Sequence, residues 1–116
     1  MKLFISYTLR DGEVNESLLH KIDNLNTLQN LELFIDKLHN TDMHPQRRIE
    51  KEIRKSDALV LLGSKGVFKS DWVKREVLLA RDSSLDVYLI QPNRVVEEIK
   101  SIHKRFNDID KIPSIS

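Results

Sequence analysis

The sequence predicts a three-layer α/β fold: a parallel sheet of four or five strands between two layers of helices. Two observations carry this. Short apolar runs alternate with stretches whose apolar residues recur every three to four positions, the pattern of strand–helix–strand units. The 116 residues are 40% hydrophobic with only three Gly and three Pro, which suits one packed core over residues 1–116 and excludes a disordered or low-complexity chain.

The elements follow in order. Residues 2–7 (KLFISY) are apolar and give way to polar residues through Arg10, Asp11 and Gly12, so they read as a strand ending in a loop. Val14, Leu18, Ile22 and Leu25, continued by Leu28, recur at helical spacing, with Glu13, Glu16, Lys21, Asp23 and Asn24 on the other face. Residues 31–36 (LELFID) form the second strand, and the polar stretch from Lys37 to Pro45 is expected to be a loop. Ile49 and Ile53, set in the charged RRIEKEIRK, mark a short and mostly exposed helix. Residues 57–62 (DALVLL) are the most apolar run and belong at the sheet's centre, with Gly63 to Gly66 breaking them off. Ser70 is an N-cap candidate with Asp71 in the first turn of a helix running to about Arg81. Residues 85–90 (LDVYLI) are a fourth strand ended by Pro92, and Val95, Ile99, Ile102 and Phe106 mark a last helix over about 93–107. In the tail to Ser116, Ile109, Ile112 and Ile115 either pack on the body or fray. Right-handed crossovers then give a flavodoxin-like strand order, 2-1-3-4(-5), with DALVLL beside KLFISY. Ligands of such sheets bind at the carboxyl ends of the strands where the order reverses. That place is the crevice between strands one and three, edged by Ser6 to Arg10 and Gly63 to Phe68.

Composition removes several function classes. Nineteen Lys and Arg against eighteen Asp and Glu leave a formal charge of +1, which argues against a protein that lives on nucleic-acid phosphates. With no cysteine there is no disulfide scaffold, thiol nucleophile or thiolate zinc site. The first residues are too short an apolar run for a signal peptide, and no stretch approaches the roughly 20 apolar residues of a membrane span. The expectation is a cytoplasmic domain with no membrane partner. No GxxxxGK[ST] and no GxGxxG after the first strand is present, so the usual phosphate-binding fingerprints are missing. His39, Asp42 and His44 share one loop, but loop histidines near an acid are usually solvated, and no metal site is expected. No serine sits in a nucleophile-elbow pattern.

The segment from Ser70 to Val77 is the informative one. On a helical wheel Trp72, Val73, Val77, Leu79 and Ala80 span one arc, with Lys74 and Arg81 opposite. Glu76 falls inside the apolar arc, where desolvation disfavours its charge. Two readings follow. Either Glu76 lies at the arc's edge and pairs with a nearby Lys or Arg, or it is a carboxylate held in a cleft beside an indole for chemistry.

FISYTLRD at 4–11, LELFIDK at 31–37, IEKEIRKSDALVLLGS at 49–64 and SDWVKREVLLA at 70–80 together resemble a Toll/interleukin receptor (TIR) domain of the bacterial, NAD-consuming branch. The resemblance covers about residues 1–92. It implies a flavodoxin-like domain whose catalytic members break the nicotinamide–ribose bond of NAD. The family's catalytic glutamate falls on Glu76 and its tryptophan on Trp72. Its loop after the first strand maps to Tyr7 through Arg10, and its BB loop to about Lys37–Gln46. The BB loop here, HNTDMHP, lacks the glycine many members carry; no fifth strand is identified; and only Arg10 is basic just after the first strand.

That cleavage suits a single carboxylate. Nicotinamide leaves NAD as a neutral molecule, so no general acid is needed, and the transition state is oxocarbenium-like at the ribose. An anion beside the anomeric carbon stabilises it best in a water-poor cleft. The expected site is therefore Glu76 as catalytic residue, with Ser6, Tyr7, Arg10, Asp36, Ser64, Phe68 and Trp72 binding substrate. Tyr7, Phe68 or Trp72 would offer a flat face to a base, and Arg10 or Lys65 a charge to the diphosphate. NAD is expected as substrate, with no cofactor. Self-association through TIR–TIR contacts and a separately encoded effector or sensor are the expected partners, in a setting of bacterial or antiviral defence. The alternative is a non-catalytic module acting by TIR–TIR association. A lesser alternative is a nucleoside deoxyribosyltransferase-like enzyme.

Overall fold

The computed structural model describes residues 1–110. Four strands, β1 (Lys2–Ser6), β2 (Glu32–Ile35), β3 (Ala58–Leu62) and β4 (Asp86–Ile90), form one sheet in the order β2-β1-β3-β4. All three pairings are parallel, with Leu3 level with Leu33 on one side and Ala58 on the other. The helices are α1 (Glu16–Asp23), α2 (Asp36–His39), α3 (Pro45–Lys55), α4 (Asp71–Asp82) and α5 (Val95–Asp110). None is long and apolar enough to cross a membrane.

Alternation along the strands builds two cores. Leu3, Ile5, Leu33, Ile35, Val60 and Leu62 face the α1 and α5 layer, where they meet Leu19, Ile22, Ile99 and Ile102. Phe4, Phe34, Leu59 and Leu61 face the α3 and α4 layer, where they meet Ile49, Ile53, Val73 and Ala80. All five residues of β3 are buried, as its apolar run predicts for a strand covered on both faces. Ser6 is two residues beyond Phe4 and fully buried, so the same alternation carries its hydroxyl under α4.

Several boundaries differ from the sequence reading. The first helix begins only at Glu16, because the Asn15 side chain accepts the Leu18 N–H at 2.9 Å as an N-cap. Val14 is buried from the preceding loop, and Leu25 belongs to a 3-10 turn over Asn24–Thr27. The stretch expected to be a loop from Lys37 holds a single helical turn, α2, before the chain opens again at Asn40. Helix α3 is longer than RRIEKEIRK and starts with Pro45 in its first turn, where a missing N–H costs nothing. It also buries Glu52, which its exposed, charge-interleaved appearance conceals. The last helix starts at Val95 after a 3-10 turn over Pro92–Arg94. No fifth strand occurs among the described residues. The expected packing of Ile109, Ile112 and Ile115 lies outside the described side chains.

Candidate functional site

The chain passes from β1 to β2 on one side and then from β2 back past β1 to β3 on the other, so the strand order reverses at the carboxyl end of β1. A cleft of about 420 Å³ opens there, lined by Tyr7, Thr8 and Arg10 after β1, Asp36 and Lys37 of α2, and Ser70, Trp72 and Glu76 at the start of α4. Three local facts supply these walls. Ser70 caps α4 by accepting the Val73 N–H at 3.3 Å. Lys37 N–H donates to the Tyr7 hydroxyl at 3.1 Å, which ties α2 to the β1 loop. Val73, Glu76 and Ala80 are buried at helical spacing, so Glu76 occupies a sheet-facing position that a hydrophobe would ordinarily fill.

Glu76 is 6% exposed and its Oε1 accepts the Ser6 hydroxyl proton at 2.8 Å. Among the described residues no Lys, Arg or His forms an ion pair with it. That removes the reading in which it pairs with a neighbouring cation. Burial pushes its carboxyl up to about 7; the Ser6 hydroxyl opposes this, the Asp36 charge adds to it, and the Trp72 indole opposes it slightly. The other buried glutamate behaves in the opposite way. Burial raises Glu52 too, but Lys2 and Arg48 both pair with it, Arg48 at 2.8 Å, and hold its carboxyl below the ordinary value. Glu52 is a structural ion pair, whereas Glu76 is an acid left without one. Tyr7 is likewise pushed up to about 12, by burial first and by the charges of Asp36 and Glu76, so its phenol stays neutral.

Of the residues singled out in the sequence, the structure brings Ser6, Tyr7, Arg10, Asp36, Trp72 and Glu76 together at this cleft. Trp72 is 39% exposed and overhangs the cleft rather than filling the core its helical arc implies. Ser64 and Phe68 lie elsewhere. The β3–α4 loop folds away toward the β1 loop, where Asp11 accepts the Gly66 N–H at 2.6 Å and Glu13 the Lys65 N–H at 3.2 Å. A Cβ on Gly66 would sit 2.9 Å from the Asp11 carboxylate, so a larger residue there would push that side chain aside. Ser64 is buried with no hydrogen-bond partner for its hydroxyl among the described residues, and Phe68 is 59% exposed on the 3-10 turn Val67–Lys69. Thr8, Lys37 and Ser70 are cleft residues not named individually as site residues in the sequence; Thr8 lay within the loop Tyr7 through Arg10, Lys37 opened the BB loop, and Ser70 carried a signal as an N-cap.

Trp72 and Glu76 also border a narrower cleft of about 240 Å³ between α3 and α4, with Ile49, Ile53, Arg75 and Leu79. Two wider grooves, about 520 and 770 Å³, run along the α1–α5 face, and neither is lined by a buried carboxylate. The His39 ring meets Asp23 at 2.8 Å instead of Asp42 or His44, and among the described residues no cluster of three metal-ligating side chains forms.

Comparison with known proteins adds one finding. Residues 4–97 match the model of a family described as Thoeris protein ThsB, TIR-like domain. No curated protein matches the chain.

Proposed function

The chain belongs to the TIR-like domain family of the Thoeris protein ThsB, and from that premise we propose that it is a defence enzyme cleaving the nicotinamide–ribose bond of NAD. The single observation carrying this is Glu76: a buried carboxylate, free of cations, oriented by Ser6 at the floor of the switch-point cleft. In the proposed reaction the C–N bond breaks and its electron pair leaves with the ring nitrogen, so nicotinamide departs neutral. Positive charge develops at the ribose anomeric carbon. Glu76 faces that charge in a water-poor site, where an anion stabilises it more than in bulk water. Ser6 holds one carboxylate oxygen, leaving the other for the ribose. A water, or a hydroxyl of the substrate itself, then forms the new C–O bond and gives up its proton.

The remaining walls suit the rest of the substrate. Tyr7 accepts from Lys37, so its own O–H is free to donate to a ribose or phosphate oxygen. Arg10 and Lys37 place two cations at the rim, although Lys37 also pairs with Glu16 at 3.3 Å. Trp72 offers an exposed indole face to a base. Ser64 and Phe68 have no part in this arrangement.

The experiment is nicotinamide release from NAD by wild type and Glu76→Gln at matched concentration, with products identified by mass spectrometry. Turnover in wild type and a loss of at least about a hundredfold in a folded Glu76→Gln protein are expected. Equal turnover in both would overturn the assignment. The association-only reading draws on the apolar side chains exposed outside the cleft: Met43, Phe68, Leu78 and Leu89. It takes over if neither protein turns over NAD under conditions that force association.

A further inference from the structure

One wall of the cleft is held by polar contacts rather than by burial: Lys37 N–H bonds the Tyr7 hydroxyl at 3.1 Å, and Asn40 Nδ2 bonds Asp36 Oδ1 at 2.7 Å. Helix α2 is a single turn of four residues, buries none of them and has no side-chain cap at its start. A lone turn is not stable by itself. Yet it delivers Asp36 and Lys37 to the cleft.

What ties the end of the turn to the sheet is a set of polar side chains on the outer edge of β2. Glu32 N–H points inward and bonds the Met1 carbonyl at 2.9 Å, so the N–H groups of Leu33 and Ile35 point outward. Asn26 Oδ1 accepts the first at 2.6 Å and its Nδ2 reaches the Leu33 carbonyl at 3.3 Å. His39 Nδ1 accepts the second at 2.9 Å. Both side chains are oriented by one oxygen: Asp23 Oδ1, at the end of α1, lies 2.8 Å from Asn26 Nδ2 and 2.8 Å from His39 Nε2. Since Nδ1 accepts, the ring carries its proton on Nε2 and gives it to Asp23. His39 is the last residue of α2, so its ring ties the turn to both β2 and α1.

We propose that Asp23, Asn26 and His39 clamp the outer edge of β2, and that His39 is the positioning residue that holds Asp36 and Lys37 at the cleft. The proposal deepens the functional reading, because it concerns a wall of the same site. It also makes a prediction that needs no turnover. The charged and titratable groups around Glu76 are Tyr7 and Arg10 from the β1 loop, Asp36 and Lys37 from α2, Glu50 from α3 and Arg75 from α4. Of these, Asp36 is the negative charge whose place depends on His39.

The test uses the full chain and three readouts in wild type and His39→Ala: amide exchange at Ile35 and Leu33, the carboxyl titration of Glu76 followed by carbon NMR, and nicotinamide release. In His39→Ala, Ile35 exchange should quicken at least about tenfold while Leu33 stays protected by Asn26. The Glu76 midpoint should fall from about 7 by roughly one unit as Asp36 withdraws and water enters. Turnover should fall at least about tenfold, in kcat more than in KM. Added imidazole, which carries both an acceptor and an N–H, should restore Ile35 protection. 1-Methylimidazole fills the same space but cannot donate to Asp23, and should not. An unchanged Glu76 midpoint, or equal rescue by the two imidazoles, would overturn the clamp whatever happens to NAD. A lowered midpoint with no turnover in wild type would sink the enzymatic reading and leave the clamp standing. Should His39→Ala not fold, Asp23→Ala keeps the ring and removes its anchor; it should shift the Glu76 midpoint in the same direction by less, and an unchanged midpoint there overturns the proposal equally.

Discussion

Replacing Glu76 with Gln tests the energetics of the site apart from any catalysis. A carboxyl whose ordinary value is 4.5 and whose folded value is about 7 holds its proton more tightly in the folded state than in the unfolded one. Stability from this group is therefore fully present below about pH 4.5 and is lost as the pH rises through about 7. At roughly 1.4 kcal/mol per pH unit between the two values, the loss at pH 8 is about 3 kcal/mol. Glu76→Gln has no such titration. Its Oε1 can still accept from Ser6, while the new amide N–H adds a constant offset of about 1 kcal/mol in either direction. The difference between variant and wild type cancels every other titrating group, including Asp11, Asp23 and Glu52. It should grow in the variant's favour by about 3 kcal/mol between pH 4 and pH 8, seen as roughly 10 °C in the relative melting temperature. Urea titrations of both proteins across this range measure it. A difference that stays flat with pH would mean that Glu76 ionises freely, and would refute the buried, unpaired carboxylate.

Three further outcomes follow from the same geometry. If Glu76 works as an anion, kcat/KM for nicotinamide release should rise with pH through an inflection near 7 and level off above it; a flat profile from pH 5 to 8 would exclude that role. Ser6→Ala removes the donor to the ionised carboxylate, so the Glu76 midpoint should move higher still, read by carbon NMR, with turnover at pH 7 falling in step. Trp72→Ala should cost only about 1–2 kcal/mol in urea unfolding, less than the ~3–5 of a core aromatic, because the indole is partly exposed; a cost in the core range would return Trp72 to the core.

The parallel sheet and its order were legible because they depend on pattern: apolar runs of strand length separated by helical stripes. Ser6 was reached only through its place at the carboxyl edge of the first strand; that its hydroxyl lies under α4 follows from the alternation it shares with Phe4, two residues before it. Single-turn structure was not legible. Four residues carry no periodicity, and α2 exists through bonds from His39 to residues far away or on another element. The two buried glutamates show the same limit. Both lie on charged helices; Glu52 takes one cation from Arg48, four residues back on its own helix, and a second from Lys2, fifty residues away at the amino end of β1, which no helical pattern could show. For Glu76 the wheel correctly set the residue among apolar neighbours but could not say whether Lys74, Arg75 or Arg81 would turn back to it. Ser64 and Phe68 were drawn in by chain proximity to the switch point, and tertiary bonds to Asp11 and Glu13 carry their loop away.

The side chains on β2 bear on how copies of this domain can join. A sheet grows by adding a strand to a bare edge, and the outward amides of Leu33 and Ile35 are already spent on Asn26 and His39. The far edge is different: among the described residues no side chain bonds to the backbone of β4, and Leu89 is exposed there. One open edge and one closed edge permit a symmetric pair joined strand to strand through β4, but not a continuing row. Any filament of this domain must be built through its helices and loops, with each sheet crossing the assembly as a separate unit.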